Sequence, residues 1–192
     1  MKPWFTLSAA LIAAGLGYWA WQARQPAPPK ADLPLPPALA TDAAQDQPLS
    51  RLPEMRYPDL NGKPHAISEW QDKVLVLNFW ATWCPPCREE TPLFVALQDE
   101  YRQRGVQFVG LAIDDPKAVQ DFVDTYGVEY PVLIGDIDAV DVSRRLGNRF
   151  SGLPFTLIVA PGGEIAIRHA GGLNREQIVP ILERLAQAPS GG

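Results

Sequence analysis

The stretch Val74 to Leu97, VLVLNFWATWCPPCREETPLFVAL, constrains this chain more than any other. Its opening run, Val74 to Trp80, has the length and the β-branched and aromatic content of a buried strand. Cys84 and Cys87 follow, separated by Pro85 and Pro86. Leu93, Phe94, Leu97 and Tyr101 then recur at three- and four-residue spacing, which predicts a helix with one buried stripe. A strand that delivers C-x-x-C to the mouth of a helix sets a thiol beside free backbone N–H groups and the positive end of the dipole. Both stabilise an anion. The chemistry this suits is that of a dithiol redox pair.

The chain has 192 residues and only two cysteines, both in that motif. A structural disulfide framework would use more pairs at longer range, and a local disulfide closes too short a loop to stabilise much. A zinc site needs three or four protein ligands. The histidines His65 and His169 lie far from the pair in sequence, so no metal is expected. A c-type haem needs a histidine directly after the second cysteine, where Arg88 stands. No cofactor is expected. Net charge is −5 without a Lys/Arg cluster, which argues against nucleic acid as a partner.

The motif W-C-P-P-C after an N-F-W strand, with L-P-F-T about 70 residues later, resembles the thioredoxin fold. The longer N-F-W-A-T-W-C-P-P-C-R-E-E resembles its membrane-anchored TlpA/ResA/CcmG (DsbE) branch, over about residues 51 to 187. The resemblance implies an α/β fold with a central mixed β-sheet flanked by helices on both faces, behind an N-terminal transmembrane helix.

Four segments are expected. Residues 1–24 hold an uncharged run from 4 to 21 that spans about 27 Å as a helix, near the thickness of a bilayer core. Aromatic residues mark both its ends. No small-residue cleavage site follows, so an anchor is expected rather than a removed signal sequence. Residues 25–50 carry seven prolines and form a tether. Residues 51–188 form the domain, and 189–192 a flexible tail.

Within the domain, Asn61-Gly62 predicts a hairpin over Tyr57 to Ile67, and Ser68 with Glu69 a capped turn. Val106 to Ile113 reads as a parallel strand, followed by a helix capped by Asp115-Pro116 and closed by Gly127. Pro131 to Ile134 reads as a short strand and Asp138 to Leu146 as a short helix. Phe155 to Val159 and Ile165 to His169 form a hairpin across Pro161-Gly162-Gly163. Asn174 and Gln177 predict a capping box on the last helix, which contains Pro180.

At the redox pair, Cys84 is the expected nucleophile and Cys87, one turn further in, the resolving thiol. Pro85 and Pro86 have no N–H, so within this loop only Cys87 and residues beyond it can donate to a Cys84 thiolate. This predicts a thiol pKa of about 7 or above. It also predicts a reducing potential, on the order of −250 mV.

Asn78 stands where classical thioredoxins carry a buried aspartate, and it cannot titrate. Glu90, three residues after Cys87, matches the acidic residue of ResA-type proteins and is the expected proton carrier. Glu89 is read as a solvated first-turn residue, Trp80 as core, and Trp83 as flanking the substrate surface. Pro154 resembles the family's cis-proline, whose bond presents the Leu153 backbone for strand-like pairing with a client. The run Arg168 to Asn174 is read as a hairpin end and a helix cap.

The function expected is that of a protein disulfide oxidoreductase, acting as a reductant through a Cys84–Cys87 dithiol. The resemblance implies a single-pass protein of the bacterial inner membrane with its redox domain in the periplasm. It also implies clients such as oxidised apocytochrome c or copper-assembly proteins, and a membrane thiol donor of electrons. Two alternatives are weaker. A copper chaperone could use two thiolates but lacks a Met- or His-rich cluster. A peroxiredoxin-like peroxidase would carry Thr three residues before its reactive Cys, where this chain has Ala81.

Overall fold

The computed structural model describes residues 48–187. The apolar segment 4–21, nearly all of the tether and the tail 189–192 lie outside the described residues. Among the described residues, no helix is long and apolar enough to cross a membrane.

A two-stranded antiparallel hairpin opens the domain, β1 (Arg56–Pro58) with β2 (Pro64–Ala66). Its turn contains Gly62 at φ 78°, a conformation that favours glycine. A 3₁₀ turn, Ile67–Trp70, follows. Here the sequence reading is corrected: Ser68 does not cap the turn. The Glu69 carboxylate accepts the Ala66 N–H at 2.9 Å, and the Ser68 hydroxyl donates to Glu54 instead.

The main sheet has five strands in the order β5-β4-β3-β6-β7. They are β3 (Val74–Trp80), β4 (Val106–Ile113), β5 (Val132–Gly135), β6 (Phe155–Val159) and β7 (Ile165–Ala170). β3, β4 and β5 are parallel, while β6 and β7 run antiparallel to their neighbours. Helix α1 (Pro85–Tyr101) connects β3 to β4, and α2 (Pro116–Tyr126) connects β4 to β5. Both crossovers step across the sheet in one direction, so the right-handed rule puts both helices on one face. Phe94 and Leu97 of α1 and Val119 and Phe122 of α2 join one core cluster there, with Ile178 and Leu182 of α4 (Arg175–Ala186). The opposite face is covered by α3 (Ile137–Arg145), the N-terminal hairpin and the 3₁₀ turn, through Ala139, Tyr57, Ile67 and Trp70.

The expected helix signals hold. Asp115 accepts the Lys117 and Ala118 N–H groups, and Gly127 ends α2 at φ 64°. Asn174 and Gln177 cap α4 reciprocally, and α4 continues through Pro180. The chain is already bonded to the domain two residues before the expected boundary: the Leu49 N–H donates to the Arg145 carbonyl and the Ile165 N–H to the Ser50 carbonyl. Arg168 secures this entry by donating to the carbonyls of Leu146 and Leu49, a structural role consistent with its sequence reading.

Candidate active site

β3 ends at Trp80 and α1 begins at Pro85, so the four residues between them turn the chain at the end of the central strand. Cys84 is the N-cap of α1, with extended φ −87° and ψ 110°. Pro85 and Pro86 fill the first two helical positions, where a missing N–H costs nothing. The first N–H able to turn towards Cys84 is that of Cys87, which donates to the Cys84 Sγ at 3.4 Å. The two cysteines are joined in a disulfide, with Cα atoms 5.3 Å apart. Cys84 is 3% exposed and Cys87 fully buried. Both therefore lie below the surface, although a helix-end position predicts an exposed Cys84. Pro85 is exposed and Pro86 half-buried.

One turn beyond Cys87 on α1, Glu90 enters a buried polar network. Asn78, on β3, donates from Nδ2 to the Glu90 Oε1 and to the Thr156 hydroxyl of β6, each at 3.0 Å. The second Glu90 oxygen accepts the Leu173 N–H at 2.9 Å. Glu90 is only 4% exposed. Burial pushes its carboxyl up to about 7, against the opposing pull of the Leu173 N–H and the Asn78 amide. Burial and the nearby Glu90 charge likewise push the Tyr130 phenol upward. Thr91 donates to the Cys87 carbonyl at 2.8 Å, and Cys87, Glu90 and Thr91 are all buried on α1.

Sequence reasoning reached Glu90 and Asn78 but missed Leu173. The loop between β7 and α4, read as a hairpin end, brings Leu173 onto Glu90 and lays Gly172 against Pro86. A Cβ at Gly172 would lie 3.7 Å from the proline ring. The G-G-L-N run is the only sequence signal of it, and it specifies a turn rather than a partner.

Thr82 is the second missed residue. Its N–H and hydroxyl both donate to one oxygen of Asp114, at 2.9 and 2.5 Å, pinning the turn before Cys84 to the end of β4. Burial raises the Asp114 carboxyl, but the Thr82 hydroxyl and two backbone N–H groups outweigh it and hold the carboxyl below its usual range. Trp83 is 66% exposed beside Cys84, whereas Trp80 is core, as read. The Trp80 indole packs on Phe122 and crosses β4 at Gly110, where a Cβ would come within 2.8 Å of Nε1. Among the described residues, its Nε1–H is buried without a hydrogen-bond partner.

The Leu153–Pro154 bond is cis, as the sequence motif predicts. Pro154 is buried, and Leu153 packs against the cluster that contains both cysteines. Among the described residues, the Leu153 N–H and C=O take part in no hydrogen bond. An open cavity of about 320 Å³ beside the pair is lined by Trp83, Pro85, Arg88, Glu89 and Tyr126. The arrangement can therefore hold a thiolate at a helix start, a second sulfur behind it, and a carboxyl able to take or give a proton near neutral pH.

Comparison with known proteins agrees with this chemistry. Residues 47–185 match the Redoxin family. A thiol-disulfide oxidoreductase ResA from Halalkalibacterium halodurans is 35% identical over 126 residues, 65% of this chain and 69% of the relative. ResA from Bacillus subtilis is 30% identical over 148 residues, 74% of this chain and 78% of the relative. The crystal structure of a thioredoxin-family thiol:disulfide interchange protein from Chlorobium tepidum superposes with a TM-score of 0.63. It is 26% identical and covers 73% of this chain and 99% of its own. A secreted Mycobacterium tuberculosis disulfide oxidoreductase homologous to E. coli DsbE shares the fold, with a TM-score of 0.59 at 24% identity over 68% of this chain and 96% of its own. A cysteine pair at a helix mouth, on a sheet these oxidoreductases share, makes this chain a member of the redoxin family, a thioredoxin-fold thiol–disulfide oxidoreductase of the ResA/DsbE type.

Proposed function

We propose that the protein is a membrane-tethered reductant of protein disulfides, with Cys84 as nucleophile, Cys87 as resolving thiol and Glu90 as proton carrier. The carrying observation is the Cys84 Sγ at the N-cap of α1, accepting the Cys87 N–H, with Cys87 closed off behind it.

In the reduced protein, the Cys84 thiolate attacks one sulfur of a client disulfide. A mixed disulfide forms and the client's other sulfur leaves as a thiolate. Cys87 then loses its proton and attacks the Cys84 Sγ. The client departs with both sulfurs reduced, and the protein keeps the Cys84–Cys87 disulfide. Two electrons pass to the client. Glu90, ionised, takes the Cys87 proton and returns it to the departing thiolate. A pKa near neutral suits both transfers.

Only the Cys87 N–H reaches the Cys84 sulfur within the two-proline loop, which supports a weakly stabilised thiolate and hence a reducing pair. The uncharged segment 4–21 and the Pro-rich tether support a single-pass anchor in the bacterial inner membrane, with the domain in the periplasm. A reductant in an oxidising compartment needs a membrane thiol donor to restore its dithiol. Oxidised apocytochrome c and copper-assembly proteins are the client classes favoured by the motif resemblance. Trp83, Pro85, Pro86, Leu153 and Pro154 would frame the client's cystine.

Two measurements test this. The Cys84–Cys87 reduction potential should be on the order of −250 mV, and a value near −120 mV would mark an oxidant instead. A Cys87→Ala variant should accumulate mixed disulfides through Cys84. Absence of such adducts with every disulfide protein offered, or copper held by both thiolates in freshly isolated protein, overturns the reading.

A further inference from the structure

Three consecutive residues of the loop between β7 and α4 touch three parts of the redox site. The Gly171 N–H donates to the Pro154 carbonyl at 2.9 Å. Gly172 lies against Pro86. The Leu173 N–H donates to the Glu90 Oε2 at 2.9 Å. Glycines at 171 and 172 restrict the backbone little, so a side chain is needed to fix how the Gly172–Leu173 peptide is turned. His169 supplies it. Its Nε2 lies 3.3 Å from the Gly172 carbonyl oxygen. A carbonyl only accepts, so Nε2 carries the hydrogen and donates.

The two bonds share one peptide group. The C=O and N–H of a trans peptide lie in one plane and point opposite ways. A donor on the Gly172 carbonyl therefore aims the Leu173 N–H at the carboxylate and polarises it. The sheet puts His169 in place for this. Asn78 on β3 pairs with Thr156 on β6, and Thr156 pairs with His169 on the edge strand β7. Directly opposed residues share a face, so the three form one polar row from the central strand to the edge. Asn78 holds one oxygen of Glu90, and the other is held from the His169 end. The neighbouring Arg168 is engaged elsewhere, on the carbonyls of Leu146 and Leu49.

We infer that His169 is a positioning residue of the exchange reaction, which keeps the Leu173 N–H on the Glu90 carboxylate and so governs the passage of the Cys87 proton to Glu90. This rests on the reading of Glu90 as proton carrier. Burial works against the ionised carboxyl, and the Leu173 N–H opposes burial more than the Asn78 amide does. The other titratable group facing Glu90 is the Tyr130 phenol, raised by burial and then by the Glu90 charge. Without the His169 bond, the Leu173 N–H is free to turn away. Glu90 then keeps its proton to higher pH, and a protonated carboxyl cannot take one from Cys87.

The test uses the full chain with His169→Leu, which removes the donor, and His169→Gln, whose amide can replace it. The Glu90 carboxyl is titrated by its carbon-13 shift in the oxidised protein. Reduction of a disulfide peptide by the reduced protein is followed against pH. His169→Leu should move the Glu90 midpoint from about 7 to about 8. That leaves about a tenth of Glu90 ionised at pH 7 rather than about half, so reduction should slow about fivefold there and recover at higher pH. His169→Gln should keep the wild-type midpoint and pH profile. An unmoved midpoint in His169→Leu overturns the inference, as does a rate lowered equally at every pH or a Gln variant that behaves like Leu. The carboxyl titration needs no client, so it is decided separately from the exchange reading: a wild-type protein that reduces no disulfide peptide sinks that reading and leaves the shift in midpoint to be observed.

Discussion

On one face of β3, Leu75, Leu77 and Phe79 join a cluster with Val109, Leu111, Phe155 and Leu157. On the other, Val74 and Val76 share the surface with Asn78, which is tied to Glu90 and Thr156, and with Trp80, whose indole N–H has no partner among the described residues. The two faces belong to one seven-residue strand and are equally hidden from water. They differ in what burial does. Hydrocarbon gains from leaving water, at about 25 cal/mol per Å². A carboxyl loses, and an unpaired buried donor costs about 1–3 kcal/mol. The second face gives up stability, and it is the face against which Cys87 and the Glu90 carboxyl stand.

Substitutions should separate the faces. The largest effect is expected on the hydrocarbon side: Phe79→Ala should cost about 3–5 kcal/mol in denaturant unfolding, with the pH dependence of disulfide reduction kept. A loss of that pH dependence would break the comparison.

Glu90 comes next. Its carboxyl is raised in the folded state, to about 7, so the native protein binds a proton that the unfolded chain releases near 4.5. Its contribution is therefore complete below about 4.5 and is lost as pH rises through about 7. Between pH 5 and 8, wild type should lose stability on the order of 3 kcal/mol from this group. Glu90→Gln should flatten that slope and the matching slope in the rate of disulfide reduction. A variant as pH-dependent as wild type removes Glu90 from the proton path.

Smaller effects sharpen the contrast. Asn78→Leu removes a donor that favours the Glu90 carboxylate. The carboxyl should move above 7 and stability fall by about 1–2 kcal/mol, read by carboxyl titration and urea unfolding. Thr82→Val should cost about 1 kcal/mol and move the Asp114 carboxyl up, with a change in Trp83 fluorescence as the turn before Cys84 loosens.

What the sequence disclosed depended on how local each signal is. The strand from Val74 to Trp80 and the Asp115 and Asn174 caps are written in a few adjacent residues and are legible there, whereas the cis Leu153–Pro154 bond is reached only through the family resemblance. The Glu90–Leu173 bond joins residues 83 apart and the Thr82–Asp114 lock residues 32 apart, so no local pattern contains either. Ser68 misled because a hydroxyl before an acidic residue resembles a cap. The longer Glu69 side chain reaches the free N–H of Ala66, leaving the hydroxyl for Glu54. The expected start of the domain fell two residues late because the attachment at Leu49 and Ser50 is made by backbone groups, which any sequence supplies.

The most direct test of the account is a titration of the Glu90 side-chain carboxyl in the oxidised protein, followed by its carbon-13 chemical shift. Burial beside the disulfide predicts a midpoint of about 7. A midpoint near 4.5, the ordinary value for a glutamate in water, would contradict it.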